Sequence, residues 1–114
     1  MSVIDRDHLA TLLARERASY LESHPRSRAA FEAAGASLLG GVPMTWMNKA
    51  AGGFPVYLAD ADGAKVTDID GHRYVDFCLG DSAAMAGHSP AATAQAVQWR
   101  YGEAGGATAM LPTS

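Results

Sequence analysis

Two Asp-Gly pairs, Asp62-Gly63 and Asp70-Gly71, divide the stretch from Val56 to His88 into short runs in which apolar and polar residues alternate. Val56 and Leu58 share one side of the first run. Val66 alternates with Thr67 in the second, and Ile69 lies two positions beyond Thr67. Tyr74, Val75 and Phe77 fill the third. A tight primed turn needs positive φ, which glycine adopts without steric cost, so Asp-Gly between alternating runs is a hairpin signal. Met twice in succession, it predicts a three-stranded antiparallel meander with one apolar face.

The flanks read as helical. Leu9, Leu12, Leu13 and Tyr20 recur at helical spacing through Ile4 to Glu22, with Arg and Glu between them. Asp5 or Asp7 is placed to cap the start. Ser23-His24-Pro25 breaks this helix, because the residue before proline disfavours α geometry. Ser27 is the expected N-cap of a second helix from Arg28 to about Ala36, with Gly35 placed to end it early. Gly40-Gly41, Pro43 and Gly52-Gly53 predict a loop without regular structure. Ser89-Pro90 supplies an N-cap and a first-turn proline for a helix from Pro90 to Tyr101 that stops near Gly102. The expected fold class is α+β: N-terminal helices, the meander, and a following helix. The first helix has two readings, one packed on its own domain and one packed on another subunit. The second gains weight because the rest of the chain offers little core to cover.

Composition narrows the function classes. At 114 residues the chain is one small domain or a piece of a larger one. Its 48% hydrophobic content argues against disorder throughout. The net charge is −3 and no basic run occurs, so nothing favours nucleic acid. The apolar stretches are too short to span a membrane, and the mixed charge of Arg15-Glu16-Arg17 is unlike a signal peptide. The single Cys78 excludes an internal disulfide and suits a reducing cytoplasm. His8, His24, His72 and His88 fit no metal-ligand spacing, so no zinc site is expected. His72 follows a turn glycine and is expected to face solvent. His88 is expected to be structural, its imidazole bonding nearby backbone. Asp68, Asp70 and Asp76 could be read as paired carboxylates, but in turns such residues chiefly accept backbone N–H groups.

The order of Gly63, Asp68, Asp70, Gly71, Tyr74, Asp76, Gly87 and His88 resembles the N-terminal region of class-III pyridoxal-phosphate aminotransferases. Gly40-Gly41-Val42 before it and Gly105-Gly106 to Pro112 after it are similar to the glutamate-1-semialdehyde aminomutase and β-amino-acid aminotransferase branch. The resemblance runs from about Phe31 to Ser114. It implies the N-terminal part of a fold-type-I enzyme: a helical segment over 1–39, a substrate-mouth loop over 40–54, the meander and a loop over 55–88, and a helix with a connection toward a large domain over 89–114. It also implies pyridoxal 5'-phosphate as cofactor, a small-molecule amino donor and keto acceptor, a homodimer and a cytoplasmic location. The family is much longer than this chain, and its cofactor-linking lysine lies far downstream. Neither Lys49 nor Lys65 has that context, and the family's phosphate-binding Gly-Thr-Glu/Asp segment is not reached. The resemblance therefore implies a fragment without a catalytic residue, half of a split enzyme whose C-terminal part is a separate chain, or a decayed remnant. The alternative is a non-catalytic dimerisation or interaction module derived from the family.

In the family, residues after Gly-Gly-Val line the substrate entrance, where several members place an arginine that grips a carboxylate. Here the matching zone holds Trp46, Met47 and Asn48, just after Met44, and the candidate substrate-binding residues are Met44, Trp46 and Met47. They either receive an apolar or aromatic part of a substrate or merely anchor a loop. Asp81 and Ser82 stand where many relatives carry an aromatic residue close to cofactor and substrate. They either grip an amine or hydroxyl or mark a degenerated site. Thr108 either helps line the cofactor site or belongs to a plain flexible connection.

Overall fold

The computed structural model describes residues 4–78 and 80–105. Helix α1 spans Arg6–Ser23, and Asp5 is its cap: the carboxylate accepts from the N–H groups of Asp7 at 3.1 Å and His8 at 2.9 Å. No residue of α1 is buried. Helix α2, Pro25–Ala34, begins directly at the proline. That position needs no N–H, and proline's fixed φ already suits a helix. The early start takes Ser27 inside the first turn, where it is wholly buried. Ser27 is therefore not the expected N-cap. The capping group arrives from 43 residues away: Asp70 accepts from the N–H groups of Arg26 at 2.7 Å and Ser27 at 3.0 Å.

The glycine-rich loop is more ordered than its composition predicts, with two 3₁₀ turns at Leu39–Gly41 and Thr45–Lys49. Gly41 has φ 73°, and a Cβ there would stand 2.9 Å from Phe31 Cε2. The meander forms as expected: β1 (Leu58–Asp62), β2 (Lys65–Asp68) and β3 (Arg73–Val75) pair in the order β1-β2-β3. Gly63 at φ 54° and Gly71 at φ 97° take the left-handed geometry that their turns demand. The first strand starts at Leu58, not Val56. The expected apolar face is unevenly covered: Val66 is buried, whereas Leu58, Val75 and Phe77 are exposed.

Two compact units divide the chain, one made of Met1–Ala59 with Thr67–Arg73 and the other of Asp60–Val66 with Tyr74–Ser114. In the first, Phe54 and Val42 are buried. The Phe54 ring lies 5.0 Å from that of Tyr20 and 6.3 Å from that of Phe31, and the Tyr20 hydroxyl donates to the Phe54 carbonyl at 2.9 Å. In the second, Ala84 and Val66 are buried, and Gly63 and His88 exchange backbone hydrogen bonds. Helix α3, Ala91–Gly102, buries no residue. Pro90 sits at its N-cap position, so the expected cap Ser89 lies one residue too far out. Ser89 instead adopts φ 52° and donates its hydroxyl to the Ala61 carbonyl at 2.7 Å. Among the described residues, no helix is long and apolar enough to cross a membrane.

Candidate functional site

The first unit gathers its polar side chains at the turn between β2 and β3. Asp68 is fully buried. Its Oδ1 accepts from the N–H groups of Asp70 at 3.0 Å and His72 at 2.8 Å, which fixes the turn. Its Oδ2 lies 3.0 Å from His72 Nδ1 and 3.5 Å from His24 Nε2. The two imidazole rings are 4.6 Å apart, and the His24 ring stacks on Tyr20 at 4.2 Å. His72 thus turns its ring onto Asp68 and is only partly open to water, against the expectation of a solvent-facing side chain. The turn carboxylate draws it inward.

Asp70 completes this polar core. Partial burial works against its charged form, but the Ser27 hydroxyl at 2.6 Å and the N–H groups of Arg26 and Ser27 outweigh it and hold the carboxyl below its ordinary value. Burial, reinforced by the charges of Asp68 and Asp70, pushes the Tyr20 phenol above its ordinary value. Sequence reading saw these aspartates as acceptors of backbone N–H groups in turns; both accept such groups, Asp70 from within the turn and Asp68 from the end of β2. It missed the gathering of His24, Asp68 and His72, because no local spacing connects residue 24 with residues 68 and 72.

The same unit carries an open, largely apolar cavity of about 920 Å³. Trp46 and Met47 line it together with Val42, Tyr57 and Leu58, and Lys49 stands at its wall. Trp46 is 62% exposed, which puts the indole at a rim and not in a core. Met44 is half exposed and is not part of the lining. So two of the three loop residues singled out in the sequence meet at one cavity.

Asp81 and Ser82 belong to the second unit. They are exposed and follow Gly80 in a run of left-handed backbone, with φ 57°, 56° and 71°. Non-glycine residues there cost on the order of 1–3 kcal/mol each and persist where the surroundings over-determine them. Asp76 does much of the determining. Its carboxylate accepts from the N–H groups of Cys78 at 2.8 Å and Gly80 at 3.0 Å, and it meets His88 Nε2 at 2.6 Å. The expectation that the His88 imidazole bonds nearby backbone is not met: it pairs with the Asp76 carboxylate. Thr108 lies outside the described residues.

No family model matches the chain. Individual relatives do. It is 35% identical over 83 residues to the glutamate-1-semialdehyde 2,1-aminomutase of Methanosarcina acetivorans, covering 68% of this chain and 19% of that protein. The enzyme of the same name from Chloroflexus aggregans is 35% identical over 96 residues, covering 81% of this chain and 22% of the relative. Among solved structures, a glutamate-1-semialdehyde aminomutase from Pseudomonas aeruginosa superposes with a TM-score of 0.81 at 45% identity, covering 96% of this chain and 24% of that one. A variant of that protein has been solved in complex with PMP. A β-phenylalanine aminotransferase from Variovorax paradoxus superposes with a TM-score of 0.74 at 30% identity, covering 81% and 21%. The chain thus spans roughly a fifth to a quarter of the length of these relatives.

Proposed function

From a chain that matches the class-III pyridoxal-phosphate aminotransferase family at its N-terminal region, we infer that it forms the N-terminal part of an enzyme moving an amino group on an amino-acid or amine substrate. The observation that carries the reading is the cavity walled by Trp46 and Met47, in a chain related to enzymes of this chemistry. An indole at a rim offers a large apolar face with one N–H donor, suited to an apolar or aromatic substrate portion. The strained Asp81-Ser82 segment offers a carboxylate and a hydroxyl to a substrate amine or hydroxyl. Met44 and Thr108 complete the proposed set, for substrate and cofactor respectively.

In such enzymes pyridoxal phosphate supplies the electron sink, and the protein supplies orientation and a lysine. Lys49 and Lys65 are both exposed. Covalent attachment calls for a positioned amine in a sheltered pocket, and the exposure of both lysines supports a cofactor lysine elsewhere in the enzyme. This chain's part is to shape the substrate mouth. A homodimer accords with the uncovered apolar residues of α1, among them Leu9 and Leu13.

The test uses the complete enzyme that contains this segment. Trp46→Ala should raise the apparent KM for bulky apolar amines more than for small ones and leave the melting curve nearly unchanged. A uniform loss of activity that tracks unfolding would retire Trp46 as a recognition residue.

The second reading is a non-catalytic interaction module, favoured by the exposure of both lysines. The 114-residue chain is incubated with pyridoxal phosphate, reduced with borohydride and mapped. No stoichiometric, site-specific adduct is expected on either lysine. Such an adduct on Lys49 or Lys65 would refute both the module and the assignment of the cofactor lysine to another part of the enzyme.

A further inference from the structure

We propose that His24, Asp68 and His72 bind one divalent transition-metal ion of the zinc class, which ties the start of α2 to the tip of the β2–β3 hairpin. The three residues offer ligand atoms that all lie within 4.8 Å of one another. Asp68 Oδ2 stands 3.0 Å from His72 Nδ1 and 3.5 Å from His24 Nε2. A four-coordinate zinc ion with bonds of about 2.0–2.1 Å holds its ligands about 3.3–3.4 Å apart. Two imidazoles and one carboxylate are a donor set that zinc accepts, with a further position left for water.

The groups behind these donors are arranged as metal sites require. His24 Nδ1 lies 3.0 Å from the Tyr20 carbonyl, which can only accept. The Ser23 hydroxyl lies 2.9 Å from the same nitrogen, so Nδ1 is engaged away from Asp68 and Nε2 is the nitrogen that faces the carboxylate. Asp68 Oδ1 is engaged by two backbone N–H groups, which orients Oδ2 toward the imidazoles. A metal ion serves both imidazoles and the carboxylate at once, with the His72 proton moving to its own Nε2. Access is present: the His72 side chain is 40% exposed, and His24 borders a second cavity of about 360 Å³ with Tyr20, Ser23 and Gly52.

The experiment strips the full chain with EDTA and titrates it with Zn(II), following bound metal by mass spectrometry and folding by a melting curve. One equivalent of zinc and a raised melting midpoint are expected. His72→Ala should weaken zinc binding by at least about 100-fold, the upper end of the cost of losing a mere outer-shell partner. His8→Ala, outside the cluster, should bind as the unaltered chain does. Substitution with Co(II) is read on the unaltered chain, so it decides the matter even if a variant fails to fold. The visible bands of a low-coordinate nitrogen–oxygen site are expected. A spectrum no different from free aqueous Co(II), absence of stoichiometric zinc, or undiminished zinc affinity in a folded His72→Ala variant would each overturn the proposal.

Discussion

Helix α1 and the tip of the β2–β3 hairpin are treated in opposite ways by this fold. The helix carries Leu9, Leu13 and Leu21 along 18 residues and buries none of them. The tip, Asp68-Ile69-Asp70-Gly71, carries two carboxylates in four residues, yet Asp68 is among the most buried side chains described. Burial here follows hydrogen-bond satisfaction more closely than apolar patterning. A buried carboxylate is tolerable only when its oxygens are engaged, and those of Asp68 are. An apolar helix face left open has the reverse character: it costs the isolated chain some free energy and is suited to a surface outside it.

The sharpest way to break this comparison is Asp68→Ala. With EDTA present, urea unfolding should show a loss of about 3–5 kcal/mol, because a buried pair is deprived of one partner and two N–H groups lose their acceptor. Gly71→Val comes next. Gly71 has φ 97° with open space where a Cβ would stand, so strain alone should cost about 1–2 kcal/mol. Lys65→Ala, at an exposed strand start, should fall within about 0.5 kcal/mol of the unaltered chain.

A pH series sharpens the comparison further. The Asp70 carboxyl is held below its ordinary value when folded, so its contribution is present above the unfolded carboxylate range and is lost as pH falls through the lowered folded value. The gap in melting midpoint between the unaltered chain and Asp70→Asn should therefore be widest near neutral pH and narrow in acid. A gap that is constant with pH would separate Asp70's role from its charge. The smallest effect belongs to α1. Leu9→Ala should change the stability of the chain by no more than about 0.5 kcal/mol. A loss rivalling that of Asp68→Ala would abolish the contrast between the two regions.

Local features were legible in the sequence, and contacts between distant residues were not. Asp62-Gly63 and Asp70-Gly71 announced their turns because positive φ is a property of one residue, and both glycines adopt it. Asp5 was readable as a cap for the same reason, since its partners lie two and three positions on. Ser27 and Ser89 were misread as caps. In each case a proline set the helix boundary and a partner distant in sequence, Asp70 or Ala61, claimed the hydroxyl. Of the candidate site, Trp46 and Met47 were found through the resemblance and do share a cavity. The His24, Asp68 and His72 cluster left no trace in spacing, because the fold closes 44 residues of separation between its first two members.

The capping of α2 by Asp70 has a consequence for how the chain is made. A ribosome releases Pro25 and its helix long before residue 70 leaves the exit tunnel, and a helix of 10 residues is too short to persist by itself. During that interval the N–H groups of Arg26 and Ser27 have only water to bond. The start of α2 therefore sets late, when the second turn of the meander arrives. A pause in synthesis placed between these two segments would prolong the exposure of an unfinished helix, whereas a pause that comes only once residue 70 has left the tunnel would find it already closed.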